Sequence, residues 1–530
     1  MSGFKSNAKR SATRVTEHRD KEVRTFEGGT NYKISPLEAA KLSLASGICG
    51  EPQFYRPKGK ATPVRVSKYN IFGDELKSTP SQAEFQEQLI DAALEHDFKG
   101  TLELGRELRS KYMMRLNPSV LFVRAAIHKD RAKFNEENGD FMKRVGVDIC
   151  QRADDPINQF GYFCYTKGGK KNLPSILKRV WKETLEALNR YRVNKYKGTG
   201  SGASLIDVVR ISHAHNEIID ELMRTGTVKV EETDMTWEML RSQGKSWTEI
   251  WKQLGRLPHM ALLRNLRGMF KEIDDKELAK EILATLVEGV EGGKQFPFRY
   301  LSAYREIDGT TQRVGGWYNF GNEHQADEAE IHFKSMVLDA LEECMEEAVK
   351  NLPVLPGRTV CLSDASSSMG QRLSEKSSVT CADVAVLSGI TSAMVSEDGG
   401  EVIMFEHNFK RFTVKKKAGI LSQAKAMIEW IHGGGTELQP PVRDMINRKD
   451  KFDNMFVFTD MQIADRFLPI IEEYRRKVNP DLNVFVVQIG GYNTSVIPEH
   501  LYRGSILTGW TGKEPEFAKA VIDIWDEITG

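Results

Sequence analysis

Through the first two thirds of the chain, apolar residues recur with a helical period. Residues 176–191 show it best. Leu177, Val180, Trp181, Thr184, Leu185 and Leu188 fall at i, i+3, i+4, i+7, i+8 and i+11, one stripe for burial. The period returns in 256–271, 277–290 and 328–350. Ser35-Pro36-Leu37-Glu38 has the form of a helix start, with Pro in the first turn. No β-rich block interrupts this stretch, so 35–351 predicts a helical-repeat or solenoid domain, without an exact sequence repeat. Asn351-Leu-Pro-Val-Leu-Pro-Gly357 then punctuates the chain. Beyond it, short apolar runs at 358–363, 401–406, 455–459 and 483–488 alternate with helical patterns at 377–396, 421–432, 440–448, 464–476 and 515–528. That alternation predicts a doubly wound parallel sheet over 352–530. Residues 1–34 are basic and aperiodic and read as a flexible tail. The fold class is α plus α/β.

Composition narrows the function classes. The chain has 530 residues and a net charge of +1, ordinary for a multidomain globular protein. It contains no apolar run of membrane-spanning length, and its start lacks the apolar core of a signal peptide. Cys49, Cys150, Cys164, Cys344, Cys361 and Cys381 form no Cys-x-x-Cys pair, which argues against a zinc knuckle and a disulfide framework. The expected compartment is a reducing cytoplasm. The near-zero charge hides an asymmetry: residues 161–215 hold 11 Lys or Arg against 3 Asp or Glu, while 271–350 lean acidic.

Two groups of residues carry candidate chemistry. The first is Asp364-Ala-Ser366-Ser-Ser368 at the end of an expected strand. Carboxylate and hydroxyl oxygens suit a hard divalent cation, Mg²⁺ first and Mn²⁺ or Ca²⁺ as alternatives. Thr436 follows Gly433-Gly434-Gly435, where backbone can approach an ion closely, and Asp460 follows the strand Met455–Thr459. Ligands in such sheets sit at the carboxyl ends of strands, where Asp364 and Asp460 both fall. The plain alternative is a local capping network at a strand–helix turn. An aspartyl-phosphate phosphatase would want a second Asp where Ser366 stands, and no Gly-x-Ser-x-Gly elbow is present.

The second group is basic. Lys167, Lys170 and Lys171 lead into Lys178, Arg179 and Lys182, which lie opposite the apolar stripe, and then into Arg190, Arg192, Lys195 and Lys197. Arg210 and His213 share a face of the next helix. Such a surface suits phosphate oxygens, and Tyr191 and Tyr196 are candidates for stacking on bases. The alternative is an ordinary solvated helix face. Gly198-Thr-Gly200-Ser-Gly202 follows a basic helix instead of a strand and reads as a connection, not a dinucleotide loop.

Asp-x-Ser-x-Ser with the later Thr and Asp resembles the ion site of von Willebrand factor A-type domains. A helical domain followed by such a domain is the layout of the Ro autoantigen family, whose helical part is the TROVE module. Asp207-Val-Val-Arg-Ile-Ser-His213, Leu257-Pro-His-Met-Ala-Leu-Leu-Arg264-Asn265-Leu266, Pro297-Phe-Arg299, Val337-Leu-Asp-Ala-Leu341 and Lys195-Tyr196-Lys197 resemble stretches of that family. The likeness covers roughly 35–530 and points to a bacterial or phage-borne member. It departs at Gly47–Tyr55 and at the loop Gly198–Ala203.

The resemblance implies a monomeric ring of HEAT-like repeats closed by the A-type domain. It implies small structured noncoding RNAs (Y RNAs) on the outer basic surface and single-stranded ends of misfolded RNAs in the central hole. It also implies an adaptor role toward a 3′ exonuclease such as polynucleotide phosphorylase. RNA-contact roles carry over to Lys195, Lys197, Arg210 and His213; Arg264 and Asn265 match a family motif without an assigned role. The expectation is a non-enzymatic RNA-binding protein in noncoding RNA stability or quality control. The alternatives are a metal-dependent protein-binding adaptor working through the A-type domain and, third, a chelatase- or hydrolase-type enzyme.

Overall fold

The computed structural model describes residues 22–24, 28–46, 82–112, 114–196, 204–229, 235–293, 295, 297–308, 331–350, 352–372, 379–489, 494–498, 501–508 and 514–529. The chain forms two compact units. One is Ser35–Met239; the other is Leu240–Gly530 with the described part of Met1–Ile34. Gly47–Tyr55, Lys197 and Gly198–Ala203 lie outside the described residues.

The first unit is helical. Its site-bearing part contains Phe98–Ser110 (α1), Leu116–Ile127 (α2), Phe141–Ile149 (α3), Asp154–Lys167 (α4), Ser175–Glu186 (α5) and Leu205–Ser212 (α6). Boundary chemistry is local. Asp97 accepts from Gly100 N to open α1, Gly168 at φ 68° closes α4, and Ser204 and Asp207 form a reciprocal capping box on α6. The stripe foreseen on α5 is buried: Leu177, Val180, Trp181, Thr184, Leu185 and, just past the helix, Leu188. Two polar side chains carried inward from α5 are paired. Trp181 Nε1 donates to Gln159 Oε1 at 2.7 Å, and Thr184 Oγ1 donates to Cys150 O at 2.6 Å. Asp155, wholly buried, accepts from Arg109 Nη2 at 2.8 Å and from the backbone of Gln151 and Arg152. Gly146 of α3 lets α2 and α5 close in, since a Cβ there would stand 2.3 Å from Phe122 Cζ.

The second unit centres on a six-stranded sheet. Its strands are Thr359–Asp364 (β1), Gly400–Phe405 (β2), Phe409–Thr413 (β3), Asn454–Thr459 (β4), Asn483–Gln488 (β5) and Gly504–Thr508 (β6). The spatial order is β3-β2-β1-β4-β5-β6, parallel except for β3. Alternate residues face opposite helical layers, as the pleat requires. Val360, Leu362, Ile403, Phe405, Met455, Val457, Val484 and Val486 share a core with helices Gln439–Arg448 and Phe467–Lys477. On the other face, Ser363 Oγ donates to Ala385 O of helix Cys381–Met394 (α7). The expected doubly wound sheet is therefore present. The four expected strands fall within a residue or two of their predicted limits, while the edge strands β3 and β6 were not foreseen.

Two differences from the sequence reading concern boundaries. Residues 22–24 and 30–33, assigned to a flexible tail, form strands; Thr30–Lys33 pairs with Glu22–Arg24 and with Thr494–Ser495. Tyr32 is buried in the sheet core, and Asn31 Nδ2 donates to Met461 O and Thr494 Oγ1, each at 2.8 Å. The last helix before the sheet is Lys334–Lys350 and its first strand begins at Thr359, whereas packing divides the chain between Met239 and Leu240. Within the second unit, helix Pro297–Asp308 sends Arg305 to Asp383 of α7, with two hydrogen bonds of 2.6 Å and both side chains buried. That pair ties Pro297–Asp308 to the helix that covers one face of the six-stranded sheet.

Candidate functional site

The acidic site is built where β1, β2 and β4 end together. Asp364 closes β1, pairs in register with Phe405 and is wholly buried. Its Oδ1 accepts from Ser366 N at 2.8 Å and its Oδ2 from Thr459 Oγ1 at 2.6 Å, both neutral donors. The Ser366 and Ser368 hydroxyls lie 3.2 Å apart. Thr436 and Asp460 are 2% and 4% exposed, so neither is an ordinary solvated loop residue. Asp460 Oδ1 accepts from Gln462 N at 3.0 Å, and Met461 between them takes a left-handed φ of 70°. The glycine loop bonds to the first loop through Ser367 N to Gly434 O at 3.2 Å. Gly433 sits at φ 76°, and Gly434 leaves room for His407.

Electrostatics gives this geometry its meaning. Burial first, then the charge of Asp460, pushes the Asp364 carboxyl well above the usual carboxylate range. Burial also raises the Cys381 thiol at the start of α7, with Asp460, Asp383 and Asp364 adding to it. Two buried carboxylates therefore work against each other beside a pair of hydroxyls. A hard cation relieves that repulsion and uses the oxygen set. The local capping reading is partly realised, since Asp364 holds the Ser366 N–H, but it leaves this repulsion unrelieved. The residues fit the implied ion: Asp364, Ser366, Ser368, Thr436 and Asp460 would hold it, and it would supply an electrophilic point for an acidic partner group.

The basic group lies on the helical unit. Lys167 ends α4, Lys170 and Lys171 follow it, Lys178, Arg179 and Lys182 belong to α5, and Arg210 belongs to α6. Lys167, Lys170, Lys171, Arg179, Lys182, Arg192, Arg210 and His213 are exposed; Lys178 is half-buried. Lys170 and Arg210 both act on Asp207, which brings the end of α4 next to α6. His213 follows α6 in a left-handed conformation, φ 54°. Lys182 lies 3.7 Å from Glu186. Arg190, also counted in the basic run, pairs with Glu221 at 2.8 Å. Tyr191 is exposed, but the Tyr196 ring sits under the Arg152 guanidinium at 5.4 Å, which places it in an internal contact instead of a free stacking position. Tyr165, 49% exposed beside the Lys167–Lys171 loop, is an aromatic that sequence reasoning did not single out. Arg264 is exposed, while Asn265 Nδ2 donates to Ala261 O of its own helix at 2.7 Å.

A helical unit joined in one chain to an A-type sheet with an Asp-x-Ser-x-Ser loop defines a restricted class of proteins. The TROVE domain model matches residues 221–357, and the Ro60 vWA domain model matches 358–499. The chain belongs to the Ro-like family. Its fold is similar to the crystal structure of the Deinococcus radiodurans RO (RSR) protein, with a TM-score of 0.58 at 14% identity over 92% of this chain and 100% of that one. No curated protein matches the sequence. The basic residues 167–213 precede the matched TROVE stretch, so their role rests on the structure of the helical unit. Among the described residues no helix is long and apolar enough to cross a membrane.

Proposed function

We propose that this is a non-enzymatic, cytoplasmic RNA-binding protein of the Ro type, acting in noncoding RNA stability or quality control. It binds small structured noncoding RNA of the Y RNA kind and single-stranded ends of misfolded RNAs, and hands RNA to a 3′ exonuclease. One observation carries the reading: α4, its following loop, α5 and α6 present Lys167, Lys170, Lys171, Arg179, Arg210 and His213 outward, over a packed apolar core. Exposed Lys and Arg neutralise phosphates without reading bases, so affinity falls with salt, and RNA shape and free ends supply selectivity. A gel-shift titration at two salt concentrations tests this. A structured RNA with a single-stranded 3′ tail binds more tightly than a blunt duplex and weakens as salt rises; equal affinity for both, or no binding at low salt, overturns it.

A second reading has its own observation. The buried Asp364–Asp460 pair and its hydroxyls support a divalent cation site, Mg²⁺ first, that captures an acidic group of a protein partner. The two readings are compatible, with RNA on the helical unit and the partner on the A-type unit. Partner recovery that is undiminished in chelator counts against the second.

A further inference from the structure

A third carboxylate stands at the same strand ends, outside the five-residue set. Glu406 follows β2 and is 2% exposed. Phe405 O, just before it, accepts from Ala365 N at 2.8 Å, and Glu406 O accepts from Glu437 N at 3.0 Å. The residue is thus stitched between the loop of Asp364 and the loop of Thr436. Its Oε1 lies 3.4 Å from His407 Nδ1, while its Oε2 accepts no hydrogen bond among the described residues. That orphan oxygen faces the glycine loop: a Cβ on Gly434 would stand 3.4 Å from it and 2.3 Å from His407 Nδ1. Gly434 O in turn holds Ser367 N of the ion loop.

A buried carboxylate with an unmet oxygen is costly, and this one is held by its backbone between the loops of Asp364 and Thr436. A neutral side chain would fill the space without that penalty. We infer that Glu406 belongs to the ion site as an outer, charge-supplying residue that raises the affinity of the Asp364 loop for a divalent cation. It is a positioning residue, not a direct ligand: among the described residues no three His, Cys, Asp or Glu side chains meet closely enough to share an ion. Outer residues of this kind tune metal affinity by about 10- to 100-fold. The inference rests on reading Asp364, Thr436 and Asp460 as an ion site.

Calorimetric titration of Mn²⁺ into the full chain tests it, with E406Q, E406D and D364N beside wild type and thermal unfolding of each in chelator. The expected result is that E406Q binds Mn²⁺ about tenfold or more weakly, that E406D recovers most of the loss, and that E406Q in chelator unfolds no earlier than wild type. Unchanged Mn²⁺ affinity in E406Q overturns the inference and leaves the ion site standing. A loss of affinity accompanied by an equal loss of ion-free stability also overturns it, because Glu406 then acts through the fold. Wild type that binds no Mn²⁺, or D364N that binds it as tightly, overturns the ion site itself and the inference with it.

Discussion

The acidic strand ends and the basic helical face solve opposite problems. Asp364, Thr436, Asp460 and Glu406 are almost wholly buried, and the charges of Asp364 and Asp460 oppose each other. Lys170, Lys171, Arg179 and Arg210 are exposed, and the repulsion between them is screened by water and salt. A buried like-charged pair is costly until a proton or a cation relieves it, and the neighbouring hydroxyls are the basis on which we propose a cation. An exposed basic face demands nothing, so its geometry is compatible with any polyanion, and selectivity has to come from RNA shape. The difference explains why the two sites should respond differently to mutation, chelator and salt.

The largest expected effect tests whether the second unit depends on its buried Arg305–Asp383 ion pair. Arg305→Ala strands Asp383 in the core and should cost about 3–5 kcal/mol, read by chemical denaturation; a loss under about 1 kcal/mol would show that the Thr380 cap alone satisfies Asp383. Next, D364N should abolish the ion-dependent rise in stability, about 2.7 kcal/mol at a hundredfold excess over Kd, without changing RNA affinity. Replacing Lys170, Lys171 and Arg210 together by Ala should weaken RNA binding by about 10- to 100-fold and lower the salt slope by about 2–3, with the melting temperature unchanged. A changed slope in D364N, or an unchanged one in the triple variant, would blur the division between the sites.

The smallest effect concerns pH. Burial lowers the pKa of His259, whose Nε2 lies 2.9 Å from the Tyr300 hydroxyl. A depressed histidine contributes stability that is fully present above its unfolded value of about 6.5 and is lost as pH falls through the folded value. NMR titration should find its midpoint below 6.5, and the fall in melting temperature should be modest because the ring is only partly buried. A midpoint above 6.5 would contradict this.

The sequence was most readable where chemistry and local structure coincide. Asp364, Ser366 and Ser368 follow an unmistakable apolar strand, and Thr436 and Asp460 stand after a glycine run and another strand, so the strand ends could be assembled on paper. The α5 stripe was readable for the same reason: its period matches its burial. What escaped depends on non-local pairing. Phe409–Thr413 is an edge strand in which Lys410 and Arg411 interrupt the apolar signal, and Thr30–Lys33 becomes a strand through pairing with Glu22–Arg24 and with Thr494–Ser495, far away in sequence. Arg305 and Asp383 are 78 residues apart, and nothing local marks either as a partner. Glu406 resembles any polar residue in a hairpin turn until its burial is seen.

The most direct test of the whole account is a binding titration of one tailed, structured RNA against wild type, the Lys170/Lys171/Arg210 triple alanine variant and D364N, at low salt with Mg²⁺ present. The account predicts that the triple variant loses about 10- to 100-fold in affinity while D364N binds as wild type does. Full affinity in the triple variant, or its loss in D364N, would contradict the assignment of RNA to the helical face.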